Sequence, residues 1–161
     1  MRNRKALIGL LVLPALALPM QAAAKDLLPL EGSESGTFRI LGPCETGGMA
    51  LEVTGTGHTT QLGSYTGHYR ECFDPATGAV TGGTFTLTAA NGDKLFGTFN
   101  GQARPTDDPN VVSYDDPGVI SGGTGRFADA GGTMTTSGLA NLATGDYTGT
   151  ITGTVARPTS S

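Results

Sequence analysis

Val119-Ile120-Ser121-Gly122-Gly123-Thr124-Gly125-Arg126-Phe127-Ala128-Asp129-Ala130-Gly131-Gly132 is the stretch on which the fold turns. It reads as the apolar end of a strand, a glycine-dense bend, and a second bend leading into another β-rich run. Gly122, Gly123 and Gly125 let the backbone take positive φ or approach a neighbour closely, which a Cβ resists. Phe127 is the large apolar group of the bend and is expected to anchor it against the core. Gly123 to Ala128 also matches the G-x-G-x-x-G/A dinucleotide fingerprint. That motif works only where a helix begins, because the helix N-terminal N–H groups hold the pyrophosphate. Asp129-Ala130-Gly131-Gly132-Thr133 cannot carry a helix, so a structural bend is expected and nucleotide binding is set aside.

The rest of the chain has the composition of a strand-and-turn protein. Its 161 residues suffice for one domain with a real core. They include 26 glycines, 9 prolines, no tryptophan and abundant threonine, with 15% charged residues, which favours many short strands over helices. Residues 1–24 read as a secretory signal peptide of bacterial style. Arg2, Arg4 and Lys5 precede the apolar run Ala6 to Leu18, and Ala22-Ala23-Ala24 offers a cleavage site near Ala24. The apolar run is too short for a membrane span, and no cysteine sits at the cleavage point to carry a lipid. The mature protein is therefore expected to be secreted or periplasmic, with no membrane anchor.

Cleavage takes the net charge from −4 to −7 through loss of Arg2, Arg4 and Lys5. An acidic domain has no electrostatic reason to bind nucleic acid or an anionic membrane surface. Cys44 and Cys72 are the only cysteines, and in an oxidising compartment they are expected to form a disulfide. Such a loop stabilises by roughly 3 kcal/mol in the chain-entropy description. A reactive thiol would need a base beside it. His68 and Cys72, four positions apart on a strand, stand about 13 Å from one another.

In chain order, residues 25–36 read as a flexible polar arm, 37–157 as the β domain, and 158–161 as a disordered tail. Thr37 to Leu41 begins the strands. Met49 to Gly57 alternates Met49, Leu51 and Val53 with Glu52, Thr54 and Thr56, the mark of a half-buried antiparallel strand. Gly63 to Phe73 places Tyr65, Gly67, Tyr69, Glu71 and Phe73 on one face, and the aromatic face should point inward. Val80 to Ala90 and Lys94 to Ala103 form a hairpin about Asn91-Gly92-Asp93. A three-residue loop there pairs Phe85 with Phe99 and Ala89 with Leu95, whereas a two-residue Asn-Gly turn groups Phe85, Leu87 and Phe96. The odd loop is preferred. Val111 to Tyr114 starts a further strand that Asp115-Asp116-Pro117-Gly118 is expected to break. Thr133 to Leu142 follows, and the last strand sets Tyr147, Gly149, Ile151, Gly153 and Val155 against Thr148, Thr150, Thr152 and Thr154. About eight strands without an intervening helix point to an up-and-down barrel or a sandwich.

A family resemblance narrows that choice. Val119 to Phe127, followed by Ala130-Gly131-Gly132, resembles the "VVGGTGKF" stretch of plant dirigent proteins and is similar to the "ITGGSG.F" stretch of allene oxide cyclases. The hairpin Gly83 to Phe99 and the segment Leu62 to Gly67 resemble the strands upstream of it, in the same order. The resemblance covers most of Gly48 to Val155. It implies an all-β, eight-stranded antiparallel barrel of the allene oxide cyclase/dirigent (calycin-like) type, often trimeric, with a cavity in some members. The plant chemistry does not transfer. Dirigent sequences commonly carry an acidic or variable residue after Gly-Thr-Gly and an arginine before the final glycine, where this chain has Arg126 and Gly131.

The strongest site reading is the inward face of the third strand: Tyr65, Tyr69 and Glu71, joined by Tyr147 from the last strand. A carboxyl in an apolar barrel has a raised pKa that suits it to proton transfer, making Glu71 the one catalytic candidate. The plainer alternative puts Glu71 at a strand end in solvent, with the tyrosines filling the core. His58 and His68 fall on outward faces, too few for a zinc site beside paired cysteines, so no metal and no cofactor are expected. Asp107-Asp108 and Asp115-Asp116 lack the alternating spacing of a calcium loop and read as solvated turn acids. No G-x-S-x-G occurs. Two functions stay open: non-catalytic binding of a small apolar ligand or a protein partner, and a cyclase-like enzyme that guides ring closure or coupling. An enclosed cavity above ~300 Å³ lined by Tyr65, Tyr69 and Glu71 is what a ligand site calls for. A barrel filled solid would leave a structural or interaction role.

Overall fold

Eight antiparallel strands close on one another in chain order. The computed structural model describes residues 25–158, and the expected signal peptide, residues 1–24, lies outside them, as do residues 159–161. The strands are β1 (Lys25–Pro43), β2 (Met49–Thr59), β3 (Gly63–Phe73), β4 (Ala79–Ala89), β5 (Lys94–Pro105), β6 (Val111–Gly123), β7 (Gly131–Asn141) and β8 (Asp146–Pro158). Each pairs with its chain neighbours, and β1 pairs with β8 to complete an up-and-down barrel. Closure satisfies both edges of every strand, so no unpaired edge is left.

The expected flexible arm is instead the first half of β1. Residues 25–37 pair with β8 and residues 32–43 with β2, so this one strand seals the barrel. Its polar stretch conceals a period of two. Leu28, Leu30, Gly32, Glu34, Gly36 and Phe38 turn inward, while the odd-numbered residues between them are exposed. Gly32 and Gly36 are required there, since a Cβ would run into the β2 backbone at His58 and Thr54.

β6 also differs from expectation, running unbroken through Asp115-Asp116-Pro117-Gly118. Pro117 points outward, and its missing N–H falls where the ladder with β5 skips from Gly118 to Asp115. The β4–β5 hairpin keeps the expected face but shifts register. Ala89 N–H donates to the Asp93 carbonyl, so the three-residue turn is Ala90-Asn91-Gly92 and not Asn91-Gly92-Asp93. Phe85 consequently faces Gly97, and Phe99 faces Gly83. Phe85, Leu87, Leu95 and Phe99 all stay buried because the parity is unchanged.

The two ends of the barrel are built differently. At one end Leu30, Leu87, Leu95, Ile120, Phe127, Ile151 and Val155 pack at 2% exposure or less. The bend after β6 closes this end. Gly125–Phe127 is a single 3₁₀ turn that drops Phe127 onto the core. Arg126 holds the turn from outside: its guanidinium donates to the Gln61 and Leu62 carbonyls and pairs with Asp93 at 3.4 Å. The nucleotide fingerprint is thereby disposed of structurally, for the Arg126 N–H already faces the Asp93 carboxylate.

Cys44 and Cys72 are joined, tying the β1–β2 loop to the end of β3 across 28 residues. Reduction is expected to lower stability by about 3 kcal/mol, a fall in Tm of roughly 10–15 °C. Calorimetry with and without reductant measures it. An unchanged Tm would mean that the cross-link does not restrict the unfolded chain.

Candidate functional site

The second end of the barrel stays open. A cavity of about 210 Å³ enters between the β3–β4 and β7–β8 turns and runs down to the level of Glu34. Its mouth is apolar, with Ile40, Met49, Phe73, Val112, Ala140 and Leu142 among the lining. Deeper, the strand alternation delivers Glu34 from β1, Tyr69 and Glu71 from β3, Tyr114 and Asp116 from β6, and Tyr147 from β8. The barrel is not filled solid. The cavity is nevertheless smaller than expected and open to solvent instead of enclosed.

Glycines decide where the tyrosine heads lie. Glu34 is flanked on β2 by Gly57 and on β8 by Gly149. Tyr65 stands opposite Gly57 and reaches across it, so its hydroxyl donates to Glu34 Oε2 at 2.8 Å. Tyr69 leans over Gly67 and donates to the same oxygen at 2.5 Å. Tyr147 lies across Gly36 toward Gly55, and Tyr114 across Gly138 toward Gly149. A Cβ at Gly55 or Gly149 would collide with the hydroxyl laid over it. The inward glycines Gly67 and Gly149 thus serve the site by receiving aromatic rings. Edge-to-face contacts, Tyr69 on Phe99 at 6.3 Å and Tyr114 on Tyr147 at 6.4 Å, fix those rings further.

Electrostatically the cavity is acidic, and its carboxyls are largely buried. Burial pushes the Glu71 carboxyl up to about 8, and the charge of Asp116 adds to the rise. Burial likewise carries Asp116 up to about 7, reinforced by Asp115 on the same strand. Glu34 is raised by burial as well, although the hydroxyls of Tyr69 and Tyr65 pull it back. The phenols of Tyr69, Tyr114 and Tyr147 are held above their ordinary range, burial first and nearby carboxylates second, and serve only as neutral donors or acceptors. Near neutral pH, Glu71 and Asp116 therefore exchange protons easily.

Of the residues singled out from the sequence, Glu71, Tyr69 and Tyr147 come together on the cavity wall. Tyr65 does not. It is buried behind the wall with its hydroxyl committed to Glu34. Glu34, Tyr114 and Asp116 went unforeseen, and Asp116 corrects the expectation of a solvated turn acid. Asp115 does face solvent, accepting from the Ser137 hydroxyl at 2.6 Å, whereas Asp116 one position on turns inward against Gly101. His58 and His68 are exposed on the outer face. Among the described residues no three or more His, Cys, Asp or Glu side chains are placed to hold a metal ion, and no helix is long and apolar enough to cross a membrane.

No family model matches the chain. No curated protein matches it in sequence either. Among solved structures it is similar to a pterocarpan synthase dirigent protein, at a TM-score of 0.54 and 15% identity, over 93% of this chain and 98% of that one. At that identity the likeness establishes the fold: a closed, eight-stranded antiparallel barrel of the dirigent type.

Proposed function

We propose that this barrel is an exported receptor for a small, largely apolar molecule, which enters through the open end and is oriented by the polar floor. One observation carries the reading: an open cavity of about 210 Å³ whose mouth is apolar and whose depth presents carboxyl and phenol groups. Ligand sites are commonly apolar clefts with a few convergent polar groups, and those for drug-sized molecules run roughly 300–1,000 Å³. The smaller volume here suits a ligand of one or two rings. The disulfide agrees with export to an oxidising compartment. A binding or guiding role is also in keeping with the dirigent-type fold.

Native mass spectrometry of the protein from its own cells is expected to find a co-purified small molecule. Ala140→Trp, which fills the mouth from the half-buried end of β7, is expected to lose that mass while the barrel stays folded. A protein that is empty from its own cells, or a ligand retained by the tryptophan variant, would overturn the reading.

A second reading, proton transfer in a cyclase-like reaction, is favoured by Glu71 and Asp116 titrating close to neutrality inside the cavity. Under it the co-purified molecule is a product, and Glu71→Gln abolishes its formation while leaving the molecule able to bind.

A further inference from the structure

The cavity carries acid without base. Glu34, Glu71 and Asp116 reach its lining from β1, β3 and β6, where Tyr69, Tyr114 and Tyr147 are the other titratable groups. β2, β4, β5 and β7 add only apolar side chains and Thr136, so among the described residues no lysine, arginine or histidine lines the cavity with the three carboxyls. Arg39 and Arg70 are both engaged with Glu52 on the outer surface. Buried carboxyls are ordinarily matched by a cation or fully hydrogen-bonded. Glu34 has its two tyrosine donors, but Asp116 Oδ1 and Tyr147 Oη are buried without a partner among the described residues. Tyr147 is only 6% exposed and borders the cavity. The carboxyls are not grouped to hold a metal ion, which directs attention to an organic cation.

Resting on the receptor reading above, we propose that the molecule bound is a small lipophilic amine, its apolar body against the mouth and its single ammonium set between Glu71 and Asp116. In the empty barrel, protons on Glu71 and Asp116 take the cation's place, in keeping with their titration at about 8 and about 7. An ammonium entering among them displaces a proton. Uptake therefore strengthens as pH rises toward 8, while an alkylammonium, with a pKa of roughly 10, keeps its own charge. A neutral hydrogen-bond acceptor behaves oppositely, because it needs the protonated carboxyl as donor.

The test is calorimetric titration of the mature chain with phenethylamine and with 2-phenylethanol, at about pH 5.5 and about pH 8, in two buffers of different ionisation enthalpy. Phenethylamine is expected to bind at least about tenfold more tightly at the higher pH, to outbind the alcohol there, and to release about one proton at the lower pH and a smaller fraction at the higher. E71Q and D116N should each weaken the amine by about tenfold or more without weakening the alcohol. The alcohol binding as tightly as the amine, or the amine weakening as pH rises, would overturn the amine class and leave the receptor reading standing. Binding of neither probe also overturns it, and the receptor reading is then judged separately by the co-purified mass and its loss in A140W. The comparison of pH and probe needs only the unmodified chain, so a variant that fails to fold does not spoil it.

Discussion

Raising the pH from about 4.5 to about 8 is expected to weaken folding by roughly 2–4 kcal/mol, and Glu71→Gln to remove about half of that slope. The folded carboxyl of Glu71 titrates at about 8 against 4.5 in the ordinary state, and that of Asp116 at about 7 against 3.8. Both shifts are upward, so the native chain holds protons that the unfolded chain has already released. Stability is fully present below the unfolded values, falls through the window between them and the raised ones, and levels off above pH 8. A full shift at Glu71 alone would exceed the range given, but its carboxyl meets solvent through the open mouth and the discount is large. Urea unfolding at a series of pH values measures the slope. Stability that rises with pH across the window would mean that these carboxyls are ionised and well solvated in the folded barrel.

Phe127→Ala is expected to cost about 3–5 kcal/mol, enough to remove much of the stability of a domain this size. Phe127 is wholly buried and is the only large side chain the β6–β7 bend sends into the closed end. Other fully buried side chains of the closed end, Leu30, Leu95, Ile151 and Val155, belong to strands fixed on both edges by the closed ladder, so the void cannot collapse. Phe127→Leu, which retains most of the volume, should cost well under half as much. Thermal unfolding of the two variants separates the cases. Equal losses would place the contribution in the backbone of the bend and not in the packed ring.

Those two sites illustrate how unevenly the sequence exposes its structure. Tyr65 to Phe73 and Tyr147 to Val155 alternate so regularly that strand, inward face and even the aromatic lining can be read directly. Phe127 is equally legible as a single bulky group in a glycine bend. Glu34 was hidden because Gly-Ser-Glu-Ser-Gly has the composition of a loop, and only the spacing of Leu28, Leu30 and Phe38 signals its parity. Asp116 was hidden by a sequence, Asp-Asp-Pro-Gly, whose local preference for a turn is overridden by unbroken pairing with β7. A further signal lay in the glycines. Tyr65, Tyr114 and Tyr147 each face a glycine across the ladder, and that pairing requires register, which no single strand reveals.

The central claim is that the barrel keeps an acidic cavity with largely buried carboxyls at its open end, and the most direct measurement is the titration of Glu71 itself. Carbon-detected NMR of the side-chain carboxyls should show Glu71 titrating at about 8 and moving downward when phenethylamine is added. A Glu71 carboxyl that titrates at its ordinary 4.5 and ignores the amine would contradict the account.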